Sequence, residues 1–201
     1  MCELSIITSM FQTAVRRLGF TFPIPKQLSE VARVPFLKQE SAVRIRELWL
    51  EQFGHRQDVA VGTMAASEFN TFKANSVACP MFIVPVAKGP SAYMNLVTQI
   101  QDGKYCLVTS LESYRQNPDN APPMMVIAIY DDLLTEKGIA LMRGDIVNPI
   151  DITKKDAVSI LKFLRYFYSV QFPLVQQFNK DPRNFDYEQF TTKCREFSLM
   201  G

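Results

Sequence analysis

Apolar positions follow two different periods along this chain, and the change from one to the other divides it into elements. Leu4, Ile7, Phe11, Val15 and Leu18 recur as on one face of a helix, with Ser5, Ser9, Gln12 and Arg16 on the other. Phe22-Pro23-Ile24-Pro25 ends this pattern, because proline fixes φ and supplies no backbone donor. Ser41 is an N-cap residue for a helix to about Phe53, with Ile45, Leu48, Trp49 and Phe53 on one side. Asp58 to Thr63 reads as a strand and the polar stretch Glu68 to Asn75 as a short helix. Met81-Phe82-Ile83-Val84, bracketed by Pro80 and Pro85, suits an edge strand or a strand entry.

The second half is more sharply punctuated. Asp102-Gly103 lies between strand-like Tyr93–Gln101 and Lys104–Ser110, and a two-residue Asp-Gly loop supplies the positive φ angles of a type I′ hairpin. Leu111 to Asn117 is a helical turn stopped by Pro118. Met124 to Tyr130 is apolar throughout and reads as a central strand covered on both faces. Gly138 to Arg143 makes the next strand. Asp131 to Lys137 is too short for a crossover helix, so these two strands pair antiparallel. Thr153 with Asp156 opens a helix whose main face is Ala157, Ile160, Leu161, Leu164 and Tyr168. A last helix starts at Asp186, with Gln189 at its third position, and is lined by Tyr187, Phe190, Cys194 and Phe197. Helices, then strands, then helices predict an α+β fold: a mainly antiparallel β-sheet packed with N- and C-terminal helices. Residues 1–40 form an amphipathic segment and proline-punctuated arm, and residues 41–201 a single α+β domain.

Composition narrows the function classes. With 201 residues, 47% of them hydrophobic and 21% charged, the chain buries a core without metal or disulfide staples. Its apolar runs fall short of the ~20 residues of a membrane-spanning helix, so no stable membrane insertion is expected. Net charge is +2 with the signs interspersed, which is not the basic face of a nucleic-acid binder. Cys2, Cys79, Cys106 and Cys194 form no C-x-x-C pair and read as reduced thiols, and no N-x-[ST] acceptor occurs. From Glu3 to Glu30 there is no acidic residue, while Arg16, Arg17 and Lys26 are basic. Three readings of that start stay open: a helix docked on the domain, a mitochondrial targeting segment, and a membrane-surface helix.

Candidate chemistry is sparse. His55, the single histidine, follows a helix end beside Gly54, where a positive charge suits the helix dipole. A small hydrolase or transferase would have to recruit it together with a nearby carboxylate. Neither G-x-G-x-x-G nor G-x-x-x-x-G-K-[ST] is present, and no cysteine lies near His55, so neither a cofactor nor a metal site is expected. Asp131-Asp132 reads as a turn and helix start before Leu133-Leu134, and Arg143-Gly144-Asp145 as a chance tripeptide. Phe, Tyr and Met are abundant instead, at 15, 7 and 9 residues. The helix from Thr153 carries a second apolar stripe at Phe163, Tyr166 and Val170, with Phe172 just beyond. Either the last helix covers this stripe or it is a patch for another protein, for which Phe, Tyr and Met are suitable materials.

Four segments in order resemble one family. They are Ile45-Arg46-Glu47-Leu48-Trp49, the P-x-F-x-x-P strand Pro80-Met81-Phe82-Ile83-Val84-Pro85, Glu136-Lys137-Gly138-Ile139-Ala140-Leu141-Met142, and Phe178-Asn179 with Pro182 and Phe185-Asp186-Tyr187. Together they resemble the Atp11 family of mitochondrial F1-ATPase assembly chaperones. The resemblance implies a non-enzymatic protein of the mitochondrial matrix, monomeric when free and needing no nucleotide. It further implies binding to the unassembled F1-ATPase β subunit, whose aggregation the chaperone prevents until the α subunit displaces it. The family motif brings no contact map. Phe163, Tyr166, Val170 and Phe172 are therefore the expected partner-binding residues, Gly138 and Asn179 are expected at turns or caps, and Phe178, Pro182 and Phe185 are expected to clamp the last helix. Adhesion to a membrane through the first helix is the remaining alternative.

Overall fold

A computed structural model of the protein describes residues 25–89 and 92–199, with side chains to residue 197. The amphipathic segment Leu4 to Leu18 and Cys2 lie outside the described residues. Two single-turn helices come first, α1 (Leu28–Val31) and α2 (Val34–Leu37), followed by α3 (Ala42–Gly54). Ser41 caps α3 by accepting the Arg44 N–H at 3.2 Å. Ile45, Trp49 and Phe53 recur every four residues, so they line one side of α3 and are all buried. At the other end Lys154 Nζ donates to the carbonyls of Phe53 and Gly54, each at 3.2 Å, and of Arg56 at 2.5 Å. The cation compensating the negative end of that helix is Lys154, whereas His55 is exposed.

The sheet contains β1 (Val59–Ala65), β2 (Met81–Ala87), β3 (Tyr93–Gln101), β4 (Tyr105–Ser110), β5 (Pro123–Tyr130) and β6 (Ile139–Ile146). Their order is β1-β6-β5-β4-β3-β2, and every neighbouring pair is antiparallel. This is the α+β fold expected. Asp102 and Gly103 have φ of 53° and 66°, so the β3–β4 turn has the two positive angles the Asp-Gly pair predicts, but the ladder closes at Gln101 and Tyr105, which leaves Lys104 in a three-residue loop instead of in the strand. Gly138, at φ 68°, ends the one-turn helix α6 (Leu134–Lys137) just before β6.

Helices α4 (Ala66–Ala78), α5 (Leu111–Gln116), α7 (Lys154–Ser169), α8 (Phe172–Lys180) and α9 (Tyr187–Leu199) complete the described elements, with a 3-10 turn at Pro182–Asn184. Thr153 and Asp156 form a reciprocal capping box at the start of α7. Asp186 Oδ1 accepts the Gln189 N–H at 2.8 Å before α9. Two apolar layers sandwich the sheet. Ala128 and Tyr130 of β5 and Ile139 and Leu141 of β6 pack with Trp49 and Phe53 of α3. Their neighbours Met125, Ile127, Ala140 and Met142 pack on the layer containing α7, α8 and α9. Every residue of β5 is buried, because period-two alternation feeds both layers from one strand.

Three further expectations shift. Helix α4 is longer than Glu68 to Asn75, and β2 runs through Pro85 rather than ending before it. Pro85 is tolerated because β2 is an edge strand and that residue faces away from β3. Helix α8 was not anticipated at all; Pro173 sits in its first turn, where a missing N–H costs nothing.

Candidate partner-binding surface

The aromatic residues gather where α7, α8 and α9 meet over β2. Phe82 of β2 lies 5.2 Å from the Phe167 ring, 5.6 Å from Phe178 and 5.5 Å from Phe190. Phe163 stacks on Phe167 at 4.2 Å, and Phe185 joins Phe178 to Phe190 at 5.4 and 5.5 Å. Such pairs add ~1 kcal/mol each beyond the area they bury. Tyr168, fully buried on the same helix, donates its hydroxyl to the Cys79 carbonyl at 2.9 Å, and burial pushes its ionisation well above the ordinary range. Asn179 accepts the Met81 N–H at 3.2 Å and donates to the Met81 carbonyl at 2.6 Å, so it caps the start of the edge strand. Phe178 and Phe185 thus hold α9 down, and Asn179 is a cap, as their positions implied.

The four expected partner residues lie in one region but do not share one environment. Phe163 is not at the surface: it is only 3% exposed, covered edge-on by Phe190 at 6.4 Å and Phe197 at 5.7 Å. The last helix covers the stripe there, since two apolar helix faces gain more by burying each other than by facing water. Tyr166 is half-covered against Phe197 at 5.4 Å, and its hydroxyl accepts from Gln171 Nε2 at 3.2 Å. Phe172 is partly buried on the same core. Val170, the residue capping α7, is 63% exposed.

Sequence patterning missed the opposite layer. Val43 and Leu50 of α3 are 63% and 48% exposed, and Phe36 of α2 is half-exposed. Val43, Arg46 and Leu50 are spaced three and four apart, a second stripe beside the Ile45–Trp49–Phe53 one, and this spacing was the available signal. Between α1, α2 and α3 an open cleft is lined by Val31, Ala32, Phe36 and Leu48, with Glu51 and Gln52 at its rim.

The residues considered for chemistry are placed elsewhere. Asp131 accepts from Lys104 Nζ at 2.7 Å and pairs with Lys73 at 3.8 Å. Arg143 is 2% exposed inside β6, stacked 4.8 Å from the Phe53 ring centre and paired with Asp145 Oδ1 at 2.6 Å. A tripeptide so placed is strand structure, not an adhesive loop. Among the described residues no group of three His, Cys, Asp or Glu side chains lies close enough to hold a metal ion. Cys79, Cys106 and Cys194 form no disulfide with one another, and burial raises the Cys194 thiol to about 12.

The described residues therefore define an α+β protein with exposed apolar side chains in several places, among them Val170 at the end of α7, Phe36, Val43 and Leu50 on α2 and α3, Tyr93 on β3, and Ile150, 91% exposed, in the loop before α7. The chain belongs to the Atp11 family: it matches the family described as ATP11 protein over residues 8–191, which includes all four motif segments. It is 27% identical over 173 residues to the Danio rerio protein named ATP synthase mitochondrial F1 complex assembly factor 1, covering 84% of this chain and 55% of that one. The Homo sapiens and Mus musculus proteins of the same name are 24% and 25% identical over 187 residues, 90% of this chain and 55% of each of theirs. The chain thus spans about half the length of the curated relatives it matches.

Proposed function

We propose that this chain is a non-enzymatic assembly factor of the mitochondrial F1-ATPase that binds the unassembled β subunit in the matrix and keeps it from aggregating until the α subunit displaces it. The observation carrying this reading is family membership over residues 8–191, together with relatives named as F1 complex assembly factors. The physical demand is partner exchange: the factor must hold β more tightly than β holds itself, yet less tightly than α does. Adaptable aromatic and aliphatic side chains on helix surfaces suit a temporary cover.

The contact on the α7–α8 side is assigned to Val170, with Tyr166 and Phe172 at its edge, and Phe163 supports it from beneath as the seat of α9. The test is size-exclusion co-elution with isolated F1 β subunit, repeated after adding α. Co-elution that α abolishes is expected, and Val170→Asp is expected to weaken the complex severalfold while the chain stays folded. Two folded proteins that never co-elute would overturn the function. A Val170→Asp variant that binds like wild type would overturn this contact and leave the function standing.

A further inference from the structure

The two edges of the sheet are built differently. Ile100 N–H donates to the Pro80 carbonyl, so Phe82, Val84 and Val86 turn their backbones toward β3, and Met81, Ile83, Pro85 and Ala87 turn theirs outward. That edge is closed to another strand. Asn179 occupies both outward groups of Met81, and Pro85 has no N–H to offer.

On β1 the ladder has the opposite outcome. Ile146 N–H donates to Asp58 and Ala66 N–H donates to Gly138, which turns the even-numbered residues between them toward β6. Val61 and Thr63 therefore direct their N–H and C=O groups away from the sheet, and these groups have no hydrogen-bond partner among the described residues. Val61, Gly62 and Thr63 are each partly exposed, and neither proline nor lysine interrupts β1. Arg46 of α3 reaches this strand, its Nε donating to Thr63 Oγ1 at 3.2 Å. The guanidinium has no carboxylate partner among the described residues, whereas nearby Arg44 and Arg56 both do. Exposed Val43 and Leu50 lie on the same stripe of α3 as Arg46.

We infer that the outer edge of β1 takes up an extended segment of the client subunit as a seventh strand, with an acidic side chain of that segment on Arg46 and apolar ones against Val43 and Leu50. Main-chain bonds to Val61 and Thr63 supply the pairing, and the flanking side chains choose the segment. Arg46 also selects the occupant. Self-pairing of two copies antiparallel about Gly62 would bring two Arg46 side chains to one edge with no carboxylate between them, so a second copy is the poorer partner. The inference rests on the β-subunit reading above and adds a second contact besides the one at Val170.

Hydrogen exchange on the chain alone and mixed with isolated F1 β subunit tests it. Amides of Val61 and Thr63 should exchange at least about tenfold more slowly in the mixture, since an edge amide becomes a ladder amide. Val61→Pro deletes an N–H that the fold does not use, and Arg46→Glu reverses a solvent-facing charge. Each should stay folded by circular dichroism and bind β about tenfold more weakly. A wild-type complex without protection at these amides, or one that both variants leave intact, would overturn the strand pairing alone. Absence of any wild-type complex would overturn the functional reading and this inference with it. Protection that grows with the chain's own concentration and needs no β would mean that two copies pair, and would overturn the assigned occupant.

Discussion

Asp156 concentrates three roles in one carboxylate. It accepts the Thr153 N–H at 3.0 Å and the Thr153 hydroxyl at 2.8 Å, and it pairs with Lys88 Nζ at 2.7 Å; Lys88 also reaches the Asp151 carbonyl. Burial alone would raise its ionisation, but the bonds from Lys88 and Thr153 outweigh burial and hold the carboxyl below its usual value. Its ionised form therefore favours the folded chain at pH values above the ordinary carboxylate range near 3.9, and that stabilisation disappears as pH falls through the lowered value. Asp156→Asn should lose about 1 kcal/mol in urea unfolding at pH 7, and the gap from wild type should close in strong acid. An equal gap at both pH values would show that the group acts by shape and not by charge. Thr153-x-x-Asp156 was legible as a capping box because both partners lie within one turn. Lys88 was not, since its place beside them depends on how β2 ends against α7.

Local chemistry also decides the clearest turn. At Gly103 the backbone is left-handed, and a Cβ would sit 2.7 Å from Lys73 Cγ and 3.2 Å from Lys73 Cα. Gly103→Ala should cost about 1–2 kcal/mol from the backbone alone, measured as a shift of the urea midpoint. A neutral substitution would mean that the hairpin relaxes away from α4. The Asp-Gly pair made this hairpin readable, as Ser41 made α3 readable, because each signal lies within four residues of what it controls. Helix α8 gave no such signal. Pro173 and the short span Phe172–Lys180 resemble a loop until Leu174, Val175 and Phe178 find the core, so tertiary burial supplies what propensity does not.

At the scale of the molecule, α9 decides which apolar residues are available to a partner. Phe190 is 1% exposed and touches Phe82, Phe163, Phe167 and Phe185. Ending the chain after Phe185 should open this aromatic cluster, raise the binding of an apolar dye such as ANS, and lower the unfolding midpoint markedly. Phe190→Ala alone should cost about 3–5 kcal/mol. Unchanged dye binding in the truncated chain would show that α9 is not the lid over Phe163. The two layers also separate the two assigned contacts: Val170 ends α7 on one layer, and Arg46 stands on α3 in the other.

By itself the sequence determined the type of most elements, α8 excepted, together with the hairpin, the two-sided burial of β5, the α+β class and the family motifs. Each depends on near neighbours or on a repeating period, and both are carried along the chain. Only the tertiary structure decided that Phe163 belongs to the core, that Lys154 and not His55 compensates the end of α3, and that Asn179 closes one sheet edge. The same is true of the open backbone of β1. Those outcomes depend on which elements meet in space, as with Asn179 and Met81, 98 residues apart, and no local pattern records such a meeting.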